Sequence, residues 1–113
     1  METNSKITPS DTQNTDIPLK TYKLIRPFEI NGKKVTELIL DMDALSADEV
    51  ISTQNDHLSL SRANPAHNDA YLPFMYVSKM NKMIIRDLTS RLSGGDALKI
   101  GKIVESFFVD TLL

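Results

Sequence analysis

The chain has no cysteine, which excludes disulfide frameworks, cysteine-ligated zinc sites and thiol catalysis together. Its uninterrupted apolar runs are only a few residues long, as in Leu38-Ile39-Leu40, far short of the ~20 residues that span a bilayer. No apolar segment follows Met1, so no signal peptide is expected. Neither sign of charge dominates: 13 basic and 15 acidic side chains leave a net charge of −2, which provides no overall basic field for nucleic acid. There is no G-x-S-x-G, no glycine-rich phosphate loop and no serine paired with a base. These absences point to one small non-enzymatic domain of 113 residues, expected in the cytoplasm, without cofactor, metal, membrane or nucleic-acid partner.

The strongest local signal is Asn31-Gly32, since both residues tolerate the positive φ that a type I′ hairpin turn requires. With these two as the loop, Ile30 faces Lys33, Phe28 faces Val35, Arg26 faces Glu37 and Leu24 faces Ile39 on one apolar face. The other face holds Glu29 with Lys34, Pro27 with Thr36, Ile25 with Leu38 and Lys23 with Leu40. In this register Pro27 occupies a non-hydrogen-bonded pair and seals one edge. A lone hairpin is marginal in water and has to pack on something else. Downstream, after the connector Asp41–Ala44, Ser46 and Glu49 form an S-x-x-E capping box. Leu45 and Val50 sit at the hydrophobic-staple positions, and Asp48 and Glu49 suit the positive end of a helix dipole.

The expected fold is therefore α+β and helix-dominant: a hairpin over about 22–40, then three helices at about 47–58, 72–92 and 97–109. Residues 1–19 read as a polar tail that stays disordered, and 20–113 as a single domain with a loop at 59–70. The first helix carries a weak stripe of Val50, Ile51 and Leu58. The second gathers Phe74, Val77, Ile84, Leu88 and Leu92, with Tyr76, Met80 and Met83 on its flank. Gly94-Gly95 reads as its C′ stop, and Asp96 as the cap of the third helix, whose stripe is Ile100, Ile103, Val104, Phe107 and Phe108.

Several constellations have ordinary explanations. His57 and His67, near Asp56 and Asp69, lack metal-ligand spacing and a third ligand, and read as surface histidines. Asp41, Asp43, Asp48 and Glu49 lack the EF-hand pattern and read as connector and dipole residues. Lys79, Lys82 and Arg86 read as a solvated basic stripe. The methionines and aromatics stay open between core packing and a surface for a partner or self-association. The candidate partner-binding set is Tyr76, Met80, Met83, Phe107 and Phe108.

The stretch Leu24-Ile25-Arg26-Pro27-Phe28-Glu29-Ile30-Asn31-Gly32-Lys33-Lys34-Val35-Thr36-Glu37-Leu38-Ile39-Leu40 resembles the N-terminal signature of tail assembly chaperones from contractile-tailed bacteriophages and prophages. Ser46-Ala47-Asp48-Glu49-Val50 takes the place of the family's first helix, Arg91-Leu92-Ser93-Gly94-Gly95 that of its Leu-x-Gly turn, and Asp96-Ala97-Leu98 through Phe108 that of its last helix. The resemblance covers about 22–108. It implies a chaperone that coats the tape measure protein in the bacterial host cytoplasm during tail morphogenesis and is absent from the mature virion. The competing expectations are a small regulatory or nucleic-acid-associated protein and a structural tail subunit.

Overall fold

The computed structural model describes residues 18–112, with side chains through residue 108. The expected polar tail lies almost wholly outside the described residues. The elements are β1 (Thr21–Ile30), β2 (Lys33–Ile39), α1 (Ala47–Ala63), α2 (Leu72–Met80), α3 (Ile85–Arg91) and α4 (Gly94–Leu112), with 3-10 turns at Met42–Ala44 and Asp69–Tyr71. The fold is α+β and helix-dominant, with four helices among the described residues where periodicity predicts three.

The hairpin turn forms as expected: Asn31 has φ 53° and Gly32 φ 80°. Ile30, Glu29 and Phe28 pair with Lys33, Lys34 and Val35 as predicted, but then the register shifts, and Lys23, Tyr22 and Thr21 face Glu37, Leu38 and Ile39. Leu24–Pro27 therefore bulge against Thr36 alone. The expected pairs Arg26–Glu37, Leu24–Ile39, Pro27–Thr36, Ile25–Leu38 and Lys23–Leu40 do not form. Leu38 and Leu40, expected on the face opposite Leu24, are buried beside it.

The cause is a distant carboxylate. Asp96, closed to solvent, accepts hydrogen bonds from the bulge N–H groups of Ile25 (2.9 Å) and Arg26 (3.0 Å), from the Tyr22 hydroxyl (2.8 Å) and from the Ser93 hydroxyl (3.0 Å). Burial by itself raises the Asp96 pKa, but these donors outweigh it and bring it down to about 2. Burial, and after it the same contact with Asp96, holds the Tyr22 phenol above its ordinary range. Asp96 is thus the anchor of the bulge rather than the helix cap. Ser93 caps α4, its hydroxyl accepting from the Asp96 N–H (3.2 Å). Gly94 and Gly95 form the first turn of α4, and neither has a positive φ; the expected glycine stop is not used.

The expected helix 72–92 is broken. After Met80 the chain closes a Schellman motif: Met83 N–H reaches Ser78 O (3.0 Å), Lys82 N–H reaches Lys79 O (3.3 Å), and Lys82 takes the left-handed position at φ 54°. The Asn81 side chain holds the break in place. Its oxygen accepts from Ile39 N–H (2.7 Å), while its amide donates to Ile39 O (3.1 Å) and Val77 O (2.9 Å). One amide therefore pairs with the free edge of β2 as a strand would. The break carries Ile84 out of the predicted stripe and leaves it exposed.

The capping box forms on α1, with Glu49 N–H to Ser46 Oγ at 3.1 Å and Ser46 N–H to Glu49 Oε1 at 2.9 Å. Leu45 and Val50 both reach the core. The helix runs past residue 58 to Ala63 and stops at extended Asn64, which precedes Pro65 and so avoids helical geometry. The core joins Leu24, Leu38, Leu40 and Leu45 to Tyr76, Val77 and Met80 of α2, Leu88 of α3, and Ile100 and Val104 of α4.

Candidate partner-binding groove

The inner face of α1 departs from its expected apolar stripe. Its buried residues are Thr53 and His57, and the half-buried Val50 and Ser61 complete that face at helical spacing. Ile51 (56% exposed), Leu58 and Leu60 (45% exposed) point outward instead. An amphipathic helix ordinarily does the reverse. Thr53 is accommodated because its hydroxyl donates to Glu49 O in its own helix, at 2.7 Å.

His57 is buried, not at the surface. Its Nδ1 lies 3.1 Å from His67 Nε2 and its Nε2 lies 3.0 Å from Asp69 Oδ1. The His67 ring stacks on Tyr71 at 4.8 Å. This chain fastens the loop between α1 and α2 back onto α1. Both nitrogens of His57 are engaged, so it presents no free base. Among the described residues no group of three or more His, Cys, Asp or Glu is arranged to hold a metal ion.

Because the buried face of α1 is narrow and polar, a groove of about 640 Å³ stays open between α1 and the α2–α3 break. Leu60, Met75, Met83 and Ile85 supply its apolar lining. Glu49 and Asp56 line it from α1; Lys79 and Lys82 line it from α2 and the Schellman turn. Leu60, Met75 and Ile85 also line a smaller hollow of about 240 Å³, which continues the groove towards His67 and Arg86. The Ser46 N–H holds the Glu49 carboxyl below its usual range; burial opposes this, and the Lys79 and Lys82 charges contribute less.

The expected partner-binding residues are divided by this arrangement. Tyr76 and Met80 belong to the core, at 0% and 3% exposure, and in this fold do not offer a surface. The Tyr76 ring packs on Phe108 at 5.3 Å, with its hydroxyl buried and without a hydrogen-bond partner among the described residues. Phe107 and Phe108 are half-buried against the core. Only Met83 reaches the groove. Periodicity does not point to Leu60, Met75 and Ile85 as groove residues, since it ends the first helix near residue 58 and runs the second unbroken over 72–92, where the chain forms Ala47–Ala63, Leu72–Met80 and Ile85–Arg91. The signal that could have found them is Asn81-Lys82, a C-terminal stop with lysine where glycine is usual. That break also dissolves the predicted basic stripe: Lys79 and Lys82 border the groove, and Arg86 borders the hollow beyond it.

No helix among the described residues is long and apolar enough to cross a membrane. No protein-family model matches the chain, and neither a curated protein nor a solved structure matches it.

Proposed function

We propose that the chain is a non-catalytic tail assembly chaperone of a contractile-tailed phage or prophage, whose groove receives amphipathic helical segments of the tape measure protein. The observation that carries this reading is the reversed polarity of α1. Thr53 and His57 are inside, while Leu60 stands exposed on a groove with Met75, Met83 and Ile85. An apolar groove beside a helix takes the apolar face of another helix. Methionine suits the task because its unbranched, polarizable side chain adapts to stripes of differing shape. The resemblance of the hairpin and capped-helix sequence to that family supports the same reading, although the helix it expects over 72–92 is broken and its Leu-x-Gly stop is not used. In this reading the protein acts in the host cytoplasm and is displaced before the virion is complete.

A regulatory role on nucleic acid has less behind it, since Lys79 and Lys82 look across the groove at Glu49 and Asp56 rather than forming an open basic face. The test is co-expression with segments of a contractile-phage tape measure protein. Wild type should keep those segments soluble and elute with them as a complex, and Leu60→Lys should lose both properties while staying folded. Failure of wild type to form a complex with any of several segments would refute the reading.

A further inference from the structure

We infer that the groove reads the charges on either side of an apolar stripe as well as the stripe itself, and so accepts its helix in one chain direction. This rests on the groove being a helix-docking site, as proposed above. Its two walls carry opposite signs. Glu49 and Asp56, seven residues apart, project from one side of α1. Lys79 and Lys82 stand opposite, and the positive φ of Lys82 fixes its Cα at the rim through the Schellman turn.

These four charges do not cancel one another by contact. The ion pair of permanently charged side chains among the described residues is Arg91–Asp87, and the His57–Asp69 contact lies elsewhere too, so neither involves the groove walls. Among the described residues the Glu49 carboxyl accepts only from the Ser46 N–H and senses the lysines through space. Two rows of opposite charge with an apolar floor between them complement a helix whose stripe is edged by Lys or Arg on one side and Asp or Glu on the other. From Glu49 to Leu60 the α1 wall runs about 16 Å, enough for about three turns of a docked helix. Turning that helix end for end exchanges its edges and sets like charge against like, so one direction is favoured.

The occupant is a helix from another protein. Residues 1–17 carry apolar side chains only at Met1, Ile7 and Ile17, with Pro9 between them, and cannot form a three-turn stripe. Outside the groove, the exposed large apolar residues on or beside the α-helices among the described side chains are Ile51 and Leu58 on α1, Ile84 ahead of α3, and Leu98 on α4. None of these builds a three-turn stripe, so a second copy is a poor fit.

The experiment uses the full chain and designed helical peptides of about 14 residues with one Leu stripe. The stripe is edged by Lys and Glu, by Gln on both sides, or by Lys on both sides. Anisotropy titration should give the Lys/Glu peptide about tenfold tighter binding than the Gln peptide at low salt. Lys79→Glu with Lys82→Glu should erase that advantage and make the all-Lys peptide the best ligand. A nitroxide on the peptide N-terminus should broaden amide resonances at one end of the groove, near Glu49 or near Leu60, and change ends when the Lys and Glu edges are exchanged. Equal affinity for all three peptides, or broadening at both ends alike, overturns the directional inference and leaves the groove reading standing. If no peptide binds, and Met83→Glu changes nothing, the groove reading itself fails. Self-association through the groove, or tighter binding by a peptide of residues 1–17, overturns the assigned occupant.

Discussion

The two sides of α2 are built to different rules. Towards the hairpin and α4, the buried carboxylate of Asp96 has four donors, and Asn81 closes the edge of β2 with its amide. Between these anchors the packing is apolar, through Leu38, Val77, Leu88, Ile100 and Val104. Towards α1, the inward groups are Thr53, His57 and Ser61, which bond their own helix or the following loop, or, for Ser61 Oγ, find no partner. Apart from Val50, the large apolar side chains on that helix face out. The first side is organised for stability. The second gives up burial that α1 could have had and keeps an apolar groove open, a local inconsistency of the kind expected where a surface serves a partner.

The largest effect should come from removing the anchor of the stable side. Asp96→Ala strands two bulge N–H groups and the Tyr22 hydroxyl without their acceptor, and should cost about 3–5 kcal/mol in a urea unfolding experiment. Asp96→Asn keeps one acceptor oxygen but turns an NH₂ towards the donors, and should fall between. The carboxylate also sets a pH dependence. Its folded pKa of about 2 lies below the ordinary 3.8, so its contribution is complete above about pH 4 and is lost as pH falls through about 2. Glu49, also held below its usual range, loses its contribution in the same direction. The difference between wild type and Asp96→Asn isolates the Asp96 share, and should shrink across that window.

Next in size is the clamp at the β2 edge. Asn81→Ala leaves the Ile39 N–H and C=O unpaired in a partly buried setting and should cost about 2 kcal/mol. Asn81→Asp should not rescue it, since a carboxylate accepts from the Ile39 N–H but repels the Ile39 and Val77 carbonyls. Amide exchange at Ile39 should quicken in both variants. Unchanged exchange would mean that β2 is held by β1 alone.

The same contrast explains how much could be read from the sequence. Short-range chemistry was legible: the Asn31-Gly32 turn, the Ser46–Glu49 capping box and the Ile100–Val104 stripe all appear where their residues predict. What was not legible depends on partners distant in the chain. Asp96 lies 70 residues from Arg26, yet it draws the bulge out of register. Asn81 lies 42 residues from Ile39, yet it ends a helix whose apolar spacing continues through the break. The groove was illegible for the same reason, since it exists only because that helix breaks and because α1 turns its polar residues inward. Hydrophobic periodicity assumes that apolar faces go in, and α1 is where that assumption fails.

The smallest predicted change in stability tests that failure most directly. Leu60 and Leu88 are the same residue on opposite sides of the comparison, 45% and 0% exposed. Leu88→Ala removes side-chain volume from the packed side and should cost about 2–5 kcal/mol. Leu60→Gln removes apolar surface that folding has left in water, so its unfolding free energy should stay within about 0.5 kcal/mol of wild type, while complex formation with tape measure segments falls. A large loss of stability in Leu60→Gln would show that the residue is covered in solution and that α1 closes over the groove. Unchanged stability together with lost binding would locate the function on the side of the molecule that contributes least to holding it folded.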